Sequence, residues 1–552
     1  MRLVIEALRG DYFMRRDVVV TMVLVLFALA MGVGARGASS APLPTWQSVS
    51  AAPGDPGAMF LMTDGQVLVS DQGPSNAGSS GWWLLTPSAS GSYAQGTWSV
   101  AASLPTGYGP LYFASGVLAD GRLLIEGGEF NGTATWSGTN QGAIYDPVAN
   151  QWTPVSPPQG GQGCWAHIAD APSVVLATGV FLLGDSGSAT TCQALFDESS
   201  ATWTSTGTGK ADPNTEEGFT LLPNGKVLDV NTGSSGAGPS TNSEVYDPAS
   251  GTWTSAGHTP TALDDASGEV GPATLMPTGE VFAEGATGAT ALFDTSSATW
   301  SPGPSMPVVN GAQMTATDSC SAVLPDGNVL FNASPGMNPP TAWFLFDGTR
   351  ITPVPNDVGM ASTREQSNYC NALILPTGQV LVNDRNGPRS MEVYNGGGVP
   401  AATWRPSIRT LPTQLVARTP YTLSGTQLSG LDQGSYFGDD LTNATNYPLV
   451  QLRNDRTGQV TYARTFDFSS TSITPGASSS TSFVVPASAD DGPSTLRVIA
   501  NGIASAPRTV TVAGGVVEPT PPRRTSIFCV RGHTTRRVTA VNPRCPVGYR
   551  RK

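Results

Sequence analysis

The sequence predicts an all-β protein: a seven-bladed β-propeller followed by a β-sandwich. Three observations carry the prediction. A turn signal recurs at a period of roughly 50 residues, a blade-sized interval. It stands at Asp64-Gly65, Asp120-Gly121, Thr178-Gly179, Asn224-Gly225, Thr278-Gly279, Asp326-Gly327 and Thr377-Gly378. A second signal follows in six of the seven repeats, an aromatic residue then Asp or Asn: Tyr145-Asp146, Phe196-Asp197, Tyr246-Asp247, Phe293-Asp294, Phe346-Asp347 and Tyr394-Asn395. The composition agrees: 64 Gly and 45 Pro with 13% charged and 39% hydrophobic residues is turn-rich without being disordered. No long amphipathic helical pattern occurs after residue 41.

Residues 1–41 read as a signal segment. Arg15-Arg16 precedes an apolar run from Val18 to Val33. Val33-Gly34-Ala35 and Ser39-Ser40-Ala41 are the two small-residue cleavage candidates, and Met14 is an alternative start. The other reading of this run is an uncleaved anchor helix. Trp46, in Pro44-Thr45-Trp46-Gln47-Ser48-Val49, is expected to close the ring by lending an N-terminal strand to the last blade. Trp404 competes for the same slot.

The blades run over residues 42–407. The second shows the unit best: Asp120-Gly121 is a two-residue hairpin signal, because Gly accepts positive φ. Arg122 to Glu126 is a strand, Ala143 to Tyr145 the next, and Trp152 opens the outer one. Tryptophans recur at Trp98, Trp152, Trp203, Trp253, Trp300 and Trp404, with Thr349-Arg350-Ile351 in that place in the sixth copy. First strands such as Met59 to Met62 are continuously apolar, as strands lining a channel must be. The loops at 72–80, 131–141 and 232–242 are Gly/Ser/Asn-rich and expected to be exposed.

From 408 to 513 the repeat gives way to alternating strands of a β-sandwich, at Tyr421 to Leu423, Leu449 to Leu452, Ser482 to Val485 and Leu496 to Ile499. Residues 514–525 are a linker, and 526–552 form a small basic module that needs a staple to fold. Cys529 with Cys545 is the evident one. Cys164 and Cys192 share a blade, and Cys320 and Cys370 precede first strands of adjacent blades at nearly the same register. The lack of any CxxC argues against zinc.

These repeats resemble the kelch propellers, and among them the galactose oxidase family, over about residues 42–513. Gly438-Asp439-Asp440 through Val450 and Ala500-Asn501-Gly502-Ile503 resemble the immunoglobulin-like domain of its bacterial members. The resemblance implies a copper site of two His and two Tyr, one Tyr cross-linked to a Cys, at the axial mouth. This chain has three histidines, His167, His258 and His533. Asn368-Tyr369-Cys370-Asn371 offers a Tyr without the neighbouring His, and Phe466 and Phe468 stand where further His is expected. Copper(II) favours imidazole nitrogen in a tetragonal array, so no cofactor is expected.

The formal net charge is −12, but residues 516–552 carry +8 and residues 42–515 carry −22. So acidic a body excludes a nucleic-acid partner, which requires a basic patch. Membrane contact is expected only through the leader. No Ser-His-Asp signature, P-loop or dinucleotide fingerprint occurs. The residues just before first strands should ring one mouth: Asp55, Tyr108, Trp165, His167, Glu216, Glu217, Glu269, Asp318, Arg364 and Tyr369. His167, Glu217, Glu269, Asp318 and Tyr369 are the candidate ligand-binding set, Glu217, Glu269 and Asp318 coming from consecutive blades. The plain alternative is that they cap strand ends in solvent. Trp82-Trp83 is a candidate sugar platform. The expected function is binding of a glycan or envelope partner by a secreted or envelope-associated bacterial protein. Two alternatives stay open: an oxidoreductase with altered ligands, and a carboxylate-based hydrolase at the mouth.

Overall fold

The structure, a computed structural model, describes residues 45–552 apart from 162, 189, 234–237, 358–365, 385–389, 435–436, 438–441, 444, 515–524, 533 and 541–542. The leader, Arg364 and His533 therefore lie outside the described residues.

The chain is all-β. Seven sheets follow one another; the first six are antiparallel with their strands in chain order, and the seventh sets Cys370–Ile374, Val380–Asp384 and Met391–Asn395 between Thr45–Ser48 at one edge and Thr442–Asn443, paired in parallel, at the other. Sheets 1 to 7 begin with Pro56–Leu61, Ala114–Val117, Ser173–Val175, Phe219–Leu221, Ala273–Leu275, Ser321–Val323 and Cys370–Ile374. These first strands are almost wholly buried. That of sheet 2 touches that of sheet 3, and so on through sheet 7, whose first strand touches that of sheet 1.

The recurring glycine explains the hairpins. In all seven, the Gly has φ between 78° (Gly378) and 93° (Gly279). Its N–H donates to the carbonyl three residues back: Gly65 to Met62, Gly121 to Leu118, Gly378 to Leu375. A second bond, such as Met62 N–H to Gln66 O, closes a longer loop than the two-residue turn expected. The reason is that a two-residue type I′ turn needs positive φ at both central residues, and only the Gly has it. The preceding Asp or Asn serves the turn: Asp64, Asp120, Asn224 and Asp326 each accept the N–H two residues on.

Four outer tryptophans pin their sheets to the chain leaving the sheet before. The indole N–H groups of Trp98, Trp152 and Trp203 donate to the carbonyls of Ser50, Ala102 and Ser156. Trp46 does the same to Pro355 O at 2.7 Å. Its strand, Thr45–Ser48, is the outer strand of sheet 7, antiparallel to Met391–Asn395 with Trp46 opposite Tyr394. Trp404 sits in a short 3-10 helix, Ala402–Trp404, against Gly327.

The strands from Ser407–Thr410 to Arg508–Ala513, apart from Thr442–Asn443, join in one nine-stranded sheet around Leu415, Leu423, Val450, Phe483 and Val498. It rests on the hairpin end of sheets 1 to 3: Thr465, Phe468 and Thr471 donate backbone N–H groups to the carbonyls of Thr63, Ala119 and Ala177. Gln433 exchanges two backbone bonds with Leu275 of sheet 5. Phe468 is buried and stacks on Tyr447. The last module is a three-stranded sheet, Thr525–Arg531, Thr534–Ala540 and Arg550–Arg551. Disulfides join Cys164–Cys192, Cys320–Cys370 and Cys529–Cys545.

Candidate functional site

At the end of the sheets opposite the nine-stranded sheet lies an open cleft of about 330 Å³. Its walls come from two kinds of connection. The segments entering first strands bring Tyr112, Asp170, Glu216, Glu269, Asp318 and Tyr369. Loops between second and third strands bring Asn76, Glu129, Phe130 and Met337. Five carboxylates, Glu129, Asp170, Glu216, Glu269 and Asp318, thus face one cleft. A small ribbon, Pro110–Leu111 with Phe130–Asn131, sets Tyr112 edge-on to Phe130, their rings 5.9 Å apart. Asp318 N–H donates to Val270 O, tying the mouths of sheets 5 and 6 together. Four lining residues hold positive φ without being glycine: Ser75, Asn76, Tyr112 and Asp318.

Of the expected set, the structure brings Glu269, Asp318 and Tyr369 together, with Glu216 beside them. Glu217 is not there. Neighbouring residues of an extended chain point opposite ways, and Glu217 is fully buried inside sheet 4. There it lies 3.3 Å from Lys210 Nζ, which also contacts Asp229 at 2.5 Å and Glu244 at 3.3 Å. Thr215 Oγ1 and Thr232 N–H donate to its second oxygen. Burial, then the adjacent Asp229, push the Glu217 carboxyl up to about 8, against the pull of Lys210.

His167 does not line the cleft either. Its Nδ1 is hydrogen-bonded to Gly138 O, and its ring packs edge-on against Trp136. Trp165 is buried, its N–H bonded to Asp185 Oδ2, and the buried Tyr108 hydroxyl donates to Gly127 O. Asp55 is absent from the lining. Trp82 and Trp83 are buried in sheet 1 and offer no sugar platform. The exposed tryptophan is Trp136, 56% accessible, two residues from the lining residue Ala134. Sequence reasoning missed it, together with Tyr112, Glu129 and Asp170. Tyr112 and Asp170, each just before a first strand, carried the signal that could have found them.

The residues present do not fit the copper site that the resemblance to galactose oxidases implies. His258 ends the outer strand of sheet 4, exposed, and no group of three His, Cys, Asp or Glu among the described residues is placed to hold a metal ion. Among the described residues no helix is long and apolar enough to cross a membrane.

No family model matches the chain, and no curated protein matches it. Solved structures do. The extracellular domain of BT4673 from B. thetaiotaomicron, described as a one-component system, aligns at 11% identity and TM-score 0.42 over 70% of this chain and 46% of that one. A second structure, described as the same domain of a hybrid two-component system, aligns at 11% identity and TM-score 0.39 over 87% and 59%. The chain thus spans about half the length of the solved chains it matches.

Proposed function

We propose that this is a secreted binding protein whose seven sheets are the blades of a kelch-type propeller of galactose oxidase-like architecture. In this reading the propeller covers 42–407, an immunoglobulin-like domain 408–513, a linker 514–525 and a basic module 526–552. Signal segment 1–41 is removed on export, and the three disulfides suit the oxidising compartment beyond the membrane. The ligand is a glycan, neutral or amino-substituted, bound in the acidic cleft.

One observation carries the reading: five carboxylates and an aromatic pair from consecutive sheets converge on one cleft. Carboxylates accept hydrogen bonds from sugar hydroxyls and ammonium groups, and aromatic rings cover sugar faces. Positive φ at Tyr112 and Asp318 adds support, since backbone strain of this kind gathers at binding sites. Calorimetric titration with neutral and amino-sugar oligosaccharides tests it. Binding that drops in Glu269→Gln supports the reading, and unchanged binding refutes it. A second reading, a carboxylate-based hydrolase, draws on Glu216, Glu269 and Asp318 sharing the cleft. Release of reducing ends from a bound oligosaccharide separates the two.

A further inference from the structure

We propose that the C-terminal module is a docking surface for an anionic polysaccharide, a polymer bearing a carboxylate or phosphate on its repeating unit. From Thr525 to Lys552 the chain has seven Arg or Lys and no acid. All seven are exposed. No ion pair joins any of them to a carboxylate among the described residues. The guanidinium fork matches carboxylate and phosphate oxygens in pairs.

The arrangement separates a polymer from a bilayer. Thr525–Arg531 is the middle strand of the module. The register sets Arg536 on one side of Cys529 and Arg551 on the other, so those two share its face. Arg537 is opposite Phe528 and Arg550 opposite Val530, which puts this second pair on the other face. A planar membrane meets one face at a time, whereas a flexible chain runs round both. Among the described residues of the module, large apolar exposure is confined to Phe528 and Val547, too little for insertion. The module holds its shape through the Cys529–Cys545 disulfide and the buried Ile527. Residues 42–515, at −22, repel the same polymer, so the module alone supplies the attraction. The proposal uses none of the cleft residues and stands apart from the glycan reading.

The test uses the full exported chain on immobilised polygalacturonate. Retention at low salt is expected, with affinity falling linearly in log–log form as salt rises. Replacing Arg536, Arg537, Arg550 and Arg551 by Gln should weaken binding about tenfold or more. Each face pair alone, Arg536→Gln with Arg551→Gln or Arg537→Gln with Arg550→Gln, should weaken it in part. The four Arg→Lys changes should keep most of it, reporting a folded module. Three results would overturn the proposal. One is wild-type retention by the four-Gln variant with its disulfide intact by mass. The second is equal retention on neutral dextran. The third is tighter binding to vesicles of equal parts phosphatidylserine and phosphatidylcholine, with only one face pair mattering.

Discussion

Lys210 Nζ lies 2.5 Å from Asp229 Oδ2, and both side chains are completely shielded from solvent. The ammonium also serves Glu217 and Glu244 and sits 5.1 Å from the Trp253 ring centre. Removing one partner of a buried charge group strands the others in low dielectric. Lys210→Met should therefore cost about 3–5 kcal/mol. The exposed pair Lys226–Asp247, at 3.1 Å, is the internal control. Lys226→Met should cost less than about 1 kcal/mol. Urea midpoints of the two variants measure the contrast. Similar small shifts in both would mean that Lys210 is not the keystone of sheet 4.

The same cluster fixes a pH dependence. Glu217 is raised from 4.5 to about 8 by burial and by Asp229. A carboxyl with a raised folded-state value binds more protons in the folded than in the unfolded chain between those limits. Its contribution is present below 4.5 and is lost as pH climbs to about 8. Glu126 and Glu284, both raised by burial, act in the same direction. Glu217→Gln should flatten the loss: near wild type at about pH 5, more stable than wild type at about pH 8. Chemical denaturation at the two pH values checks this, and parallel curves would refute it.

Glu216 and Glu217 mark where the sequence stops being legible. The turns could be read because a Gly at positive φ is a local requirement. The strands could be read because their apolar runs are local too. The direction of a carboxylate is not local: Glu217 turns inward because Lys210, Asp229 and Glu244 wait there, and those partners meet only in the folded sheet. Trp136 was hidden for another reason. It stands in a Gly/Ser/Asn-rich loop, and only the fold brings that loop beside His167 and the cleft.

The pairing of Thr45–Ser48 with Met391–Asn395 makes a separate prediction. Trp46 packs at 5.0 Å from Trp343 and 4.8 Å from Tyr394, and its indole N–H bonds Pro355 O. Trp46→Ala removes these contacts between sheets 6 and 7. A loss of about 3 kcal/mol is expected, with faster proteolysis near residue 45. Equal stability with unchanged proteolysis would show that sheet 7 holds without this strand.

The Cys320–Cys370 disulfide joins the entry to the first strand of sheet 6 with the first residue of that of sheet 7, closing a span of 50 residues. Replacing both by Ala should lower stability by about 2–5 kcal/mol. Cys529→Ala with Cys545→Ala should leave the main unfolding transition in place, because that disulfide spans only 16 residues within the module. Thermal unfolding of the two double variants distinguishes the cases.

Trp136 gives the sharpest test of the cleft. It is 56% exposed, braced edge-on by His167, and two residues from the lining residue Ala134. Among the described residues it is the tryptophan that solvent reaches most freely, since Trp82, Trp152, Trp165, Trp253 and Trp343 are buried. A glycan entering the cleft should therefore change tryptophan fluorescence through this ring. Trp136→Ala should remove most of the change and weaken binding about tenfold, the weight of one aromatic contact at ~1–1.5 kcal/mol. His167→Ala, which leaves the ring but not its brace, should weaken binding less while keeping the signal. If the fluorescence change persists in Trp136→Ala, the glycan lies elsewhere. The carboxylates of the cleft would then need a different ligand.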